Sequence, residues 1–189
     1  MALKILIGTL AAAISLVSFV ATRPSSFHIE RSVTIAAPAP AAFGLVNDLR
    51  SWRSWSPFED KDPAMARTYQ GSASGRGAVY AWAGTSAVGK GRMTIRRSDA
   101  PSLVALDLEF FEPMQGNATA TFTFVPDPAG TKVTWAMDGR NDFVGKAMSL
   151  VMDTDALLGA EFERGLAKLK SAAESAPKPA GEVARTAGE

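Results

Sequence analysis

Between Val88 and Asp138 the chain alternates, and that alternation limits the fold more than any other feature. In Val88–Arg97, Met93 and Ile95 fall on one side and Arg92, Thr94 and Arg96 on the other. In Leu103–Phe111, Val104, Leu106, Leu108 and Phe110 share a face; in Asn117–Val125, Phe122 and Phe124 oppose Thr119, Thr121 and Thr123. Thr131–Asp138 groups Val133, Trp135 and Met137, after a hairpin signal in Pro126–Gly130. A period of two marks strands, and a strand with one apolar and one polar face belongs to an antiparallel sheet wet on one side. The same reading extends to Phe27–Ile35, to Met65–Gly71 and to Gly77–Ala83, the last two joined by the turn-forming GSASGRG.

Such a sheet needs a cover for its apolar face. From Asp142 to about Ala176 the period lengthens to that of a helix, with Leu158, Phe162, Leu166, Leu169 and Ala173 in one stripe. Gly145, Gly159 and Gly165 should each weaken that helix by roughly 1 kcal/mol relative to alanine. Met152–Asp155 (MDTD) predicts a break with Asp153 as cap. The expected class is therefore α+β: about six or seven antiparallel strands with one face covered by a long C-terminal helix. A short alanine-rich helix follows Pro38 and Pro40. Then comes DLRSWRSWSPFEDKDPAM, Asp48–Met65, with Trp52 and Trp55 three apart among turn formers and charges.

The N-terminus has a different character. Ile5–Thr22 is an uncharged stretch of eighteen residues between Lys4 and Arg23, at the lower edge of what a membrane-spanning helix requires. A secretory signal is the competing reading, although Phe19 stands three residues before a cut after Ala21, where a small side chain is wanted. The expected organisation is an N-terminal anchor or signal over residues 1–23, a linker over 24–26, a folded domain over 27–175 and a disordered tail over 176–189. The expected location is the inner (cytoplasmic) membrane through a single N-terminal span, with the domain on the periplasmic side. Cleavage would instead release a secreted or periplasmic domain.

The chemistry open to the chain is restricted. It contains no cysteine, which excludes disulfides, thiolate catalysis and zinc–thiolate sites. A single histidine, His28, supports neither a catalytic triad nor a histidine-rich metal site and reads as a surface residue. The net charge of +1 offers no basic field for nucleic acid. No phosphate-binding glycine loop is present, and no cofactor is expected.

The order strand, two short helices, strand meander and long helix resembles the START-like helix-grip superfamily. Ile29–Phe58, Gly75–Trp82 (GRGAVYAW), Gly89–Ile95 (GKGRMTI) and Gly145–Lys170 are similar to its bacterial polyketide cyclase-like (SRPBCC-type) branch. The resemblance covers about Phe27–Glu174. It implies a sheet curled around the long helix with an apolar tunnel between them, and Trp52, Trp55 and Phe58 near one mouth. Trp55, Phe58, Tyr80, Trp82 and Met93 are the expected lining from the first half of the chain. Phe110, Trp135, Met137, Met148 and Met152 are the expected lining from the second. Arg31 and Asp155 fall among apolar positions, as a polar pair in the cavity or as a structural ion pair.

Three functions fit these residues. The first is a membrane-tethered domain that binds a lipid or other apolar small molecule. The second is a cyclase- or dehydratase-like enzyme working through scattered carboxylates such as Glu109 and Asp155 and through Tyr69 and Tyr80. The third is an envelope interaction module using Trp52–Phe58 as its contact. Burial of both indoles would count against the third.

Overall fold

The computed structural model describes residues 2–150 and 152–176. A helix α1 (Ala2–Ala21) precedes the first strand β1 (Ser26–Ile35). Then come α2 (Ala39–Asn47), a 3-10 turn (Ser51–Ser54) and α3 (Pro57–Lys61). The meander follows: β2 (Ala66–Gly71), β3 (Ala78–Ala83), β4 (Lys90–Asp99), β5 (Leu103–Glu112), β6 (Gly116–Asp127) and β7 (Gly130–Arg140). The chain closes with α4 (Phe143–Met148) and α5 (Thr154–Ser175).

The seven strands form one antiparallel sheet in the order β1-β7-β6-β5-β4-β3-β2. Consecutive hairpins make the meander, and β1 returns to pair with β7, matching Phe27 with Gly139 and Val33 with Val133. Register shifts between Lys90 and Gly91 and between Ile95 and Arg97 bend β4 against β5, and such irregularities tighten the local twist of a sheet. On the wet face, ion pairs link β4 to β5: Arg92 meets the Glu109 directly opposite at 2.7 Å, and Arg96 reaches diagonally to Asp107 at 3.3 Å.

The alternation read from the sequence puts the expected side chains inside. Ile95, Val104, Leu106, Phe122, Val133 and Trp135 are buried, as is the α5 stripe of Phe162, Leu166, Leu169 and Ala173. The break before α5 occurs where MDTD predicts it: Asp153 Oδ1 accepts from Ala156 N at 2.9 Å. Two glycines that weaken α5 by propensity admit large groups from the sheet. A Cβ at Gly165 would press on Pro57 and on Cζ3 of Trp135, and one at Gly159 would overlap the Arg31 guanidinium.

At the N-terminus the structure departs from expectation. Among the described residues no helix is long and apolar enough to cross a membrane, so the expected span is corrected to a helix α1 that packs against α4. Its end is tied to the domain by a hydrogen bond from Lys146 Nζ to the Ala21 carbonyl at 3.1 Å. The expected tail beyond Ala176 lies outside the described residues.

Candidate functional site

Between the sheet and the α3–α5 side the packing leaves a cavity of about 240 Å³. Its floor is the inner face of the sheet: Met93 on β4, Leu106, Leu108 and Phe110 on β5, Ala120 on β6, and Trp135 and Met137 on β7. Phe27, Phe58, Trp82, Val88 and Leu158 are half-buried and surround the open end, where Ala87 reaches solvent. Gly91 shapes one wall. It faces Trp82 across β3 and β4, and a Cβ there would run into the Trp82 ring.

Of the expected lining residues, Phe58, Tyr80, Trp82, Met93, Phe110, Trp135 and Met137 border this cavity. Trp55 does not; it is fully buried in the core behind it, and Trp52 takes the place at the wall. Met148 and Met152 also lie elsewhere. Both are exposed, because α4 leaves the sheet before α5 returns to it. Arg31 and Asp155 form a structural ion pair on the far side of α5 and not a polar pair in the cavity. Arg31 Nη2 meets Asp155 Oδ2 at 3.0 Å, and Nε meets Glu163 Oε1 at 2.9 Å. The Arg31 bond holds the Asp155 carboxyl below its usual range.

The tryptophan segment resolves as the edge of the core. Trp52 and Trp55 are 5% and 0% exposed, so they offer no aromatic patch to a partner. Their indole N–H groups donate to the Val46 and Leu45 carbonyls at 2.9 and 3.1 Å, which pins the 3-10 turn against α2.

One polar element faces the cavity, and sequence reasoning missed its centre. Glu59 sits in the charged run FEDK, which reads as solvated, yet it is 7% exposed. Its Oε1 accepts from the Tyr80 hydroxyl at 2.8 Å and its Oε2 from Arg67 Nε at 2.8 Å. Arg67 is also held by the Met65 carbonyl at 2.6 Å. A buried carboxylate needs such partners for both oxygens. Burial, and then the Glu59 hydrogen bond, push the Tyr80 phenol far above its ordinary range, so it stays protonated and cannot serve as a base at neutral pH. No sequence signal links Glu59 to Arg67 and Tyr80; folding α3 onto β2 and β3 brings them together.

The loop at the open end is fastened from below. Asp62, also buried, accepts from Thr85 N at 2.7 Å and Ala64 N at 3.2 Å, and the Thr85 bond first of all lowers its pKa. Trp82 Nε1 donates to the Val88 carbonyl at 3.1 Å from the other side. Two further polar groups remain. Ser56 stands at the start of α3 without capping it and borders the cavity, while the buried Trp135 N–H has no hydrogen-bond partner. Glu109 lies in the cross-strand pair with Arg92 on the wet face, away from the cavity. Among the described residues no three histidine, aspartate or glutamate side chains gather as a metal site.

Comparison with known proteins agrees with this architecture. The family model described as polyketide cyclase / dehydrase and lipid transport matches residues 26–174. No curated protein matches the chain. Among solved structures, protein CV1439 from Chromobacterium violaceum is 13% identical with a TM-score of 0.56, over 81% of this chain and 100% of its own. The di-domain ARO/CYC BexL from the BE-7585A biosynthetic pathway is 15% identical with a TM-score of 0.60, over 92% of this chain and 58% of its own. The Aha1 dimer from Colwellia psychrerythraea is 14% identical with a TM-score of 0.56, over 79% of this chain and 97% of its own. At these identities the likeness is one of fold.

Proposed function

The chain belongs to the polyketide cyclase/dehydrase and lipid transport family, and on that premise we propose that it is a binding module for an apolar small molecule. The observation that carries this reading is the cavity itself: about 240 Å³, walled by aromatic, methionine and leucine side chains, with few polar groups. An apolar, enclosed space of this kind favours ligands through removal of their surface from water, at about 25 cal/mol per Å². The volume suits a compact molecule or the end of a single acyl chain better than a whole lipid.

An enzymatic reading of the cyclase or dehydratase kind would place its work on Glu59 and Tyr80, which border the same space. Binding is favoured because both Glu59 oxygens are engaged and the Tyr80 proton is committed to one of them. Native mass spectrometry of the full chain, purified gently from cells, tests the binding reading. An added mass that leaves on denaturation is expected; the bare protein mass alone would overturn it.

We further place the domain at the periplasmic side of the inner membrane, held there by α1. What supports this is the exposure of Ile7, Leu10, Ile14, Leu16, Val17 and Phe19 along that helix. Flotation with phospholipid vesicles should carry the full chain and leave a chain lacking residues 2–23 behind. Equal flotation of both would remove α1 from that role.

A further inference from the structure

The large apolar side chains that the folded domain leaves in water are not spread over its surface. From β1 onward, those exposed among the described residues lie, with the exception of Val125, at one end of the molecule. Phe111 and Met114 flank the β5–β6 hairpin, and Phe143, Val144 and Met148 lie on α4. Met152 and Leu157 follow in the linker and in the first turn of α5. Met114, Phe143 and Val144 are 52%, 50% and 51% exposed. Apolar surface gathered in this way marks an interface.

This is also the end at which the cavity opens. Ala87, Val88 and Phe110 line both the cavity and an outer groove. The other walls of that groove are the hairpin at residues 112–116 and the β7–α4 junction at residues 140–142. Helix α1 joins the domain here too: it packs on α4, and Lys146 Nζ donates to the Ala21 carbonyl.

Charge indicates what the face would meet. Arg23 lies over the Phe19 ring at 4.6 Å and Lys146 is bound to a backbone carbonyl, so no carboxylate neutralises either. Arg140, on the groove, has no ion pair among the described residues. The two acids on the groove are engaged: Glu112 pairs with Lys90 at 2.9 Å, and Asp142 accepts from Gly145 N at 2.7 Å. Three unneutralised cations beside an apolar face complement an anionic lipid surface, to which each basic group adds attraction.

We propose that this end of the domain docks on an anionic phospholipid bilayer, so that the cavity opens onto the lipid and takes its apolar ligand from there. This rests on the readings of the cavity as a binding site and of α1 as the membrane attachment. Helix α1 provides the hold, and the side chains of α4 and the hairpin set the orientation. A ligand then reaches the cavity without crossing bulk water, where its apolar surface is unfavourable.

The chain has no cysteine, so single thiols can be placed at will. Met114→Cys, Val144→Cys and Ala129→Cys, each in the full chain, are labelled with the fluorophore NBD. The first two mark the apolar end; Ala129, in the β6–β7 turn, marks the opposite one. Mixed phosphatidylcholine–phosphatidylglycerol vesicles are added, with and without lipids that carry a doxyl quencher on the acyl chain. Emission at positions 114 and 144 should shift to the blue and be quenched by the doxyl lipid, while position 129 stays unchanged. Binding to pure phosphatidylcholine should be roughly tenfold weaker. Vesicle-bound protein with no change at 114 and 144 would overturn the docking face and leave α1 as a bare tether. Absence of vesicle binding would overturn both, and neither result touches the cavity reading, which native mass spectrometry decides. Equal binding to both vesicle types would overturn the anionic surface as the partner. A blue shift that needs no vesicles and grows with protein concentration would give the face to a second copy of this chain instead.

Discussion

Glu59 is a charge held between an apolar cavity and one arginine, and its surroundings set what a substitution there would do. Replacing Arg67 with methionine keeps the volume but strands a buried carboxylate, at a cost of roughly 3 kcal/mol. Tyr80→Phe removes one neutral donor and should cost less, about 1–2 kcal/mol. Urea unfolding of the two variants checks the order, and a larger loss from Tyr80→Phe would contradict the pairing described here. His28 gives a pH-dependent case on the surface. Its Nδ1 lies 2.7 Å from Asp138 Oδ1, and that hydrogen bond raises its pKa above 6.5. A raised folded pKa means the stabilisation is complete below pH 6.5 and lost as pH rises through the folded value. Wild-type protein should therefore exceed His28→Asn in stability at acidic pH and match it by about pH 8.5. Thermal unfolding across that range would show an unchanging gap if Asp138 had no part in it.

At the scale of elements, the loop between β3 and β4 controls the open end of the cavity. Asp62 holds it through Thr85 N, and Trp82 holds it through the Val88 carbonyl. Asp62→Ala should raise amide exchange at Thr85 roughly tenfold while the β5–β6 amides keep their protection. Because the Asp62 pKa is lowered, this tether persists above 3.8 and is lost only as pH falls through the lower folded value. A loop that loosens already near pH 6 would have to be held by something else. Gly91 acts on the same wall. Gly91→Ala forces the Trp82 ring aside and presses on the Glu109 carbonyl of β5, and a shifted Trp82 indole resonance with weaker ligand binding is the expected result. Retention of both would mean that the ring can relocate without consequence.

For the whole molecule, one closed sheet-and-helix unit carries the stability and α1 is an attachment to it. Helix α1 meets the rest chiefly at α4, itself outside the main core. Deleting residues 2–23 should leave the unfolding midpoint within about 3 °C of that of the full chain, a shift of well under 1 kcal/mol for a domain of this size. A drop of 10 °C or more would show α1 to be integral to the fold.

Much of this protein was legible from residue order. Strand alternation and the helical stripe are local periodicities, so the sheet, the long α5, the Asp153 cap and the inward side of each strand followed from them, while the tunnel itself was implied by the family resemblance. The inward face of each strand is settled by period two, which is why Met93, Phe110, Trp135 and Met137 could be named as lining. What the periodicities do not carry is where the elements meet. That α3 folds onto β2 and β3 makes Glu59 a buried partner of Arg67 and Tyr80 and not a solvated charge. That α4 stands away from the sheet leaves Met148 and Met152 outside. That Gly159 opens a path across α5 turns Arg31 toward Asp155 and Glu163 and away from the cavity. The volume of the cavity and the unpaired N–H of Trp135 belong to the same class of fact, because each depends on the fit of side chains distant in sequence. Residue order sets the periodicity of each element; only packing decides which gap between elements is filled and which stays open.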